Sequence, residues 1–208
     1  MRVSVPHRFV YLSTPKAGTH TICKLLEEFF PKGLMENGLH NVNIPSCYAR
    51  YSRWTVVRNP YSRAVSLWWS ACRLCPEDIY GFRKGCGAAE DFRKFILWLA
   101  STPMADRFQE PLMLSQAEWL RPVEPVLAIH LEQLEEGLAS LPFWRDGIMI
   151  PKLNTTTEKI LAQSRKEQRT ILRPRWQDYC RSQQIQDAVM EWAGEDFERF
   201  GYSVEVEP

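Results

Sequence analysis

Residues 8–30, RFVYLSTPKAGTHTICKLLEEFF, decide the fold. Residues 8–13 are short, apolar and rich in β-formers, which predicts a buried strand. Residues 14–21 carry Pro15 and Gly18 and form a turn-type segment. Residues 22–30 have helical spacing, and Pro31 and Gly33 stop that helix. A strand, a glycine-containing loop and a helix, in that order, turn backbone N–H groups toward the strand's carboxyl end. Open parallel sheets take their ligands there, and anions settle on such helix starts. Gly18 admits close backbone approach, Lys16 supplies a positive charge, and Thr19 and Thr21 supply hydroxyls. The spacing is not G-x-x-x-x-G-K-[ST], because Lys16 precedes Gly18. By itself the segment fits an ordinary turn with a solvated lysine equally well.

Outward from this segment, residues 33–52 lack a period and read as a loop with short pieces of structure. Residues 54–57 (WTVV) predict a second strand. Asn59 as N-cap and Pro60 at the first helical position then start a helix through residue 72. Residues 73–89 read as a loop and 91–99 as an amphipathic helix. Residues 125–130 (PVLAIH) predict a third strand, 131–141 a turn and short helix, and 148–154 a short strand entering a loop. Residues 177–192 are helical, and DFERFGY (196–202) closes the chain. Strands alternating with helices predict an α/β fold on a mostly parallel sheet.

The 208 residues, 45% hydrophobic and 12% aromatic, supply a substantial core for one domain over 1–208. With 26 Lys and Arg against 25 Asp and Glu, the net charge of +1 gives no ground for binding nucleic acid or an anionic membrane. Any anion site is therefore local. No long apolar stretch suggests a leader or a membrane span, so the expected location is cytoplasmic. The six cysteines read as free thiols. Cys72 and Cys75 form a C-x-x-C pair near Cys86. No second pair or spaced histidine completes a zinc site, and no metal is expected.

A second motif, VVRNPYSRAVS (56–66), ends a strand at Arg58 and starts a capped helix, with Ser66 two turns in. Arg58 and Ser66 are suited to an anion beside the strand end. Together, PKAGTHT and VVRNPYSRAVSLWW resemble the PAPS-dependent sulfotransferase superfamily (PAPS, 3′-phosphoadenosine 5′-phosphosulfate). The resemblance is strongest to the branch of carbohydrate sulfotransferases and their bacterial relatives. AIHLEQLEEGL with Glu132, IPKLNTTTEK and EDFERFGY continue it, so that it spans Phe9 to Tyr202.

The resemblance implies a three-layer α/β domain with a P-loop-like phosphosulfate-binding loop. It implies sulfuryl transfer from PAPS, without metal, to an acceptor hydroxyl ahead of an amine. Carbohydrate is the acceptor class of the branch resembled. Lys16 would contact the phosphosulfate, and Ala17, Gly18, Thr19, His20 and Thr21 would surround the nucleotide's 5′ end. Arg58 and Ser66 would hold the 3′-phosphate. Some relatives stack a tryptophan on adenine where Thr21 stands, and others place a glutamate base where this chain has Lys24.

One branch uses a histidine before the second motif as base, and His40 stands in that region. Its plain alternative is a surface-loop histidine. His20 follows as candidate, then Glu27 and Glu28, while His7 and His130 offer no role. The eight tryptophans are expected in the core. Arg173 and Arg175 fit a solvated loop better than a basic lid over the nucleotide. The competing class is a nucleotide-dependent phosphotransferase. That chemistry needs Ser or Thr after the loop lysine and a strand-end aspartate for Mg²⁺, and Ala17, TVVR and LAIH lack both. A PAPS-binding protein without catalysis is opposed by Lys16.

Overall fold

Three apolar runs form the parallel side of a five-stranded sheet in this computed structural model, which describes residues 1–36, 38, 40–73, 91–144, 150 and 175–206. They are β2 (Phe9–Leu12), β4 (Ser52–Val57) and β5 (Leu127–His130). β2 pairs with β4 in parallel, Tyr11 opposite Trp54, and β4 pairs with β5, Val57 opposite His130. Two further strands, β1 (Arg2–Ser4) and β3 (Leu34–Glu36), lie outside the runs that predict strands. β1 pairs antiparallel with both β2 and β3, giving the order β3-β1-β2-β4-β5. Four strands therefore run one way and β1 the other. The sheet is mixed in pairing and mostly parallel in direction. The predicted strand at 148–154 falls outside the described residues apart from Ile150.

The chain divides into two compact units. The first comprises Met1–Asn59 and Gln116–Leu153 and contains the sheet. With it are α1 (Thr19–Phe29), a short helix α5 (Gln116–Leu120) and α6 (Leu134–Ala139). Its core joins Phe9, Tyr11, Trp54 and Val56 from the sheet to Ile22, Leu25 and Leu26 of α1, and to Ile129 and Leu138. Phe143 stacks on Phe9, Phe30 meets both edge-on, and the His7 ring joins them edge-on to Phe30. α6 packs so closely on β5 that a Cβ on Gly137 would stand 2.2 Å from Ile129 Cγ2.

The second unit, Pro60–Ser115 and Asn154–Pro208, is helical among its described residues. It contains α2 (Pro60–Trp68), continued by a π-helical turn over Trp69–Arg73, and α3 (Phe92–Ser101). α4 (Met104–Arg107), α7 (Trp176–Tyr179) and α8 (Gln183–Phe200) complete it. Asp91 caps α3 through the backbone N–H groups of Arg93 (2.9 Å) and Lys94 (3.3 Å). The apolar faces of α2, α3 and α8 close on Tyr61, Trp68, Phe95, Cys180, Trp192 and Phe197. The tryptophans are core residues as expected: Trp54, Trp68, Trp69, Trp119 and Trp192 are buried, and Trp98, Trp144 and Trp176 pack against the two cores.

Among the described residues no helix is long and apolar enough to cross a membrane. Cys23, Cys47 and Cys180 are free thiols. Cys75, Cys86 and Arg173 lie outside the described residues, and Arg175 is exposed.

Candidate functional site

The carboxyl ends of β2, β4 and β5 lie side by side, because the parallel register sets Leu12 opposite Thr55 and Val57 opposite His130. The chain leaves these ends as the loop Ser13–Gly18, as Arg58-Asn59 and as Leu131-Glu132. The loop is pinned from below. Thr55 Oγ1 donates to the Leu12 carbonyl (2.7 Å), and the Thr14 and Thr55 hydroxyls meet at 2.7 Å. The Thr19 hydroxyl donates back to the Thr14 carbonyl (3.0 Å), so its one proton is used within the loop.

Two loop residues occupy the left-handed region: Lys16 at φ +66° and Gly18 at φ +79°. For Gly18 the requirement is double, since a Cβ there would also stand 2.8 Å from Leu131 Cδ1. Gly18 is the N-cap of α1, makes no side-chain cap, and is followed by no acidic residue in the first turn. The helix start thus keeps its positive end uncompensated by acid. Ala17 is buried, Lys16 and Thr21 are half-buried, and His20 is exposed.

Arg58 reaches this loop. Its Nη1 donates to the Lys16 carbonyl at 3.4 Å, which joins the two sequence motifs in one place. Its backbone is gripped by Gln116, whose Oε1 accepts from the Arg58 N–H and whose Nε2 donates to the Arg58 carbonyl, both at 2.8 Å. Next along the chain, the Asn59 N–H donates to Glu132 Oε1 (2.9 Å). Glu132, noted in the sequence without a chemical role, therefore ties the end of β5 to the end of β4. Gln116 carried no signal in the sequence at all.

His40 sits against the other flank of the loop. Its backbone N–H donates to Ser13 Oγ (3.0 Å), which also accepts from the Met1 amino group (3.3 Å). Its Nδ1 lies 2.7 Å from the Ser13 carbonyl. A carbonyl can only accept, so Nδ1 carries the proton and Nε2 keeps its lone pair. The ring packs edge-on to Trp119, with centroids 6.5 Å apart. Burial chiefly, then the charges of the Met1 amino group, His20 and Lys16, hold the imidazole below its ordinary pKa of 6.5, against the opposing Ser13 bond. This histidine is neutral at pH 7 with a basic nitrogen to offer, and Lys16 and His20 are near enough to act on it.

Ser66 is half-buried on α2 in the second unit, and its role rests on the resemblance alone. His130 ends β5, where its backbone pairs opposite Val57. Among the described residues, no group of three His, Cys, Asp or Glu side chains is placed to hold a metal ion. An open cleft of about 620 Å³ in the second unit is lined by Trp98, Asp106, Glu110 and Met113 and contains none of the candidate residues.

Lys16 in the loop after β2 and Arg58 at the end of β4, with His40 hydrogen-bonded to the first residue of the same loop, gather at one end of the parallel strands of an α/β protein. The chain matches the sulfotransferase family model over residues 1–203, and it belongs to that family, whose chemistry is sulfuryl transfer. No curated protein and no solved structure matches it.

Proposed function

We propose that this sulfotransferase takes its sulfuryl group from PAPS and delivers it to an acceptor hydroxyl, with Lys16, Arg58 and His40 as its working side chains. The observation that carries this reading is the bond from Arg58 Nη1 to the Lys16 carbonyl. It brings a cation suited to the 3′-phosphate beside the loop suited to the 5′-phosphosulfate.

The loop serves as a P-loop-like cradle. The Ala17 N–H is used within the loop, on the Thr14 carbonyl (3.3 Å), so the backbone N–H groups from Gly18 to Thr21, at the positive end of α1, are the ones proposed to face the 5′-phosphate. His40 Nε2 takes the acceptor's hydroxyl proton as the new O–S bond forms. The bond from sulfur to the bridging phosphate oxygen breaks, and its electron pair stays on that oxygen. The Lys16 ammonium neutralises the charge developing there, so its contribution is largest in the transition state. The branch this chain resembles acts on carbohydrate, and a sugar hydroxyl is the acceptor proposed. A phosphotransferase reading finds no support, since β4 runs into Arg58 and β5 ends on His130, with no aspartate at either end.

Calorimetric titration with 3′-phosphoadenosine 5′-phosphate and with adenosine 5′-phosphate tests the donor. A charge-assisted contact to phosphate contributes about 1.5–3 kcal/mol. The wild type should therefore prefer the first nucleotide by at least about tenfold, and Arg58→Ala should lose most of that preference. Equal binding of the two by the wild type rules PAPS out.

A further inference from the structure

A fully buried glutamine is a costly choice. A carboxamide taken out of water without partners loses about 1–3 kcal/mol relative to an apolar side chain of the same shape. Gln116 is 0% exposed. It repays that cost by bonding the Arg58 backbone in both directions, at 2.8 Å each.

The pattern has a specific meaning. β4 ends at Val57, so Arg58 is the first residue whose N–H and C=O find no place in the sheet ladder. A carboxamide offers one acceptor and one donor at the spacing a neighbouring strand would offer. Gln116 therefore extends the sheet by one residue and fixes the backbone from which the Arg58 guanidinium projects. The same short helix, α5, brings Trp119 against His40 three residues further on, the spacing of one helix face.

We infer that Gln116 is a positioning residue for nucleotide recognition, holding Arg58 so that its guanidinium meets the donor's 3′-phosphate. The inference rests on the PAPS reading above. It names the residue that sets discrimination between nucleotides with and without that phosphate.

The test measures affinity for 3′-phosphoadenosine 5′-phosphate and for adenosine 5′-phosphate in wild type, Gln116→Leu and Gln116→Glu, with circular dichroism as the check on folding. In Gln116→Leu the preference for the 3′-phosphate should fall about tenfold, as expected for a lost buried hydrogen bond, while affinity for adenosine 5′-phosphate stays within about twofold. Gln116→Glu keeps the volume and the acceptor for the Arg58 N–H but loses the donor to its carbonyl. It should lose part of the preference, and it decides the matter if the leucine variant does not fold. In an Arg58→Ala background neither change should alter the preference further. An unchanged preference in a folded variant overturns the inference, and so does an equal loss for both nucleotides, which marks a purely structural role. Absence of any preference in the wild type defeats the PAPS reading itself, a result distinct from either.

Discussion

At the scale of single residues, the proposed function assigns binding and chemistry to different side chains. On the proposed reading Lys16 faces a partner that gains most of its charge only as the sulfuryl group leaves, so removing it should act on turnover. Lys16→Ala is expected to keep nucleotide affinity within a few fold and to lower kcat by about 10²–10³, the usual range for one lost charge-stabilising donor. A variant with near wild-type kcat would reduce Lys16 to a lysine beside a turn. As the proposed base, His40 acts through its proton. Because burial and nearby positive charge hold its pKa below 6.5, the acid limb of kcat/KM should fall below pH 6.5 rather than at it. His40→Asn should remove that limb and cost about 10²–10⁴ in rate. A limb that survives the substitution assigns the base to another residue, with His20 the next candidate. The sequence brought His40 forward only through resemblance. Its Ser13 partner, which fixes the proton on Nδ1, is a contact across 27 positions that no local pattern carries.

At the scale of elements, what the sequence disclosed and what it withheld have one physical cause. β2 and β4 are visible as apolar runs because buried parallel strands need continuous hydrophobicity, and β5 at the edge keeps an apolar run although only Ile129 is buried. β1 and β3, three residues each, show no such run and exist by pairing with each other and with β2. α5 spans only five residues and is buried throughout, too short for a helical period to register. The element that holds Arg58 and touches His40 was thus the least legible one. Glycines mark where elements close on each other. Gly137→Ala gains up to about 1 kcal/mol of helix propensity. It also forces a methyl to within 2.2 Å of Ile129 Cγ2, where α6 meets β5. Overpacking of this kind costs about 1–3 kcal/mol, so the strain wins and the melting temperature should drop. A rise on thermal melting would mean that α6 shifts freely on the sheet. Gly18→Ala meets the Leu131 methyl and a left-handed backbone together, and should weaken nucleotide binding as well as stability.

At the scale of the whole molecule, each unit buries groups that ionise in alkali, which gives stability a pH dependence of definite sign. In the second unit burial pushes the Cys180 thiol from 9.0 up to about 12. Tyr61, whose hydroxyl donates to the Val204 carbonyl at 2.7 Å, is pushed by burial from 10.0 to about 12. In the first unit Cys23 and Tyr11 are raised by the same cause. Below pH 9 these groups carry their protons whether folded or not, and they leave stability flat. Above pH 9 the unfolded thiols ionise while the folded ones do not, so the folded state binds more protons and stability falls as pH rises. The slope should steepen near pH 10, where unfolded tyrosines join. Melting temperature measured in steps from pH 9 to pH 12 should therefore decline in two stages. Cys23→Ala combined with Cys180→Ala should flatten the first stage whatever it does to the absolute melting temperature, because the cavity left by a thiol is independent of pH. An undiminished first stage in that double variant would show that neither buried thiol controls the alkaline limit.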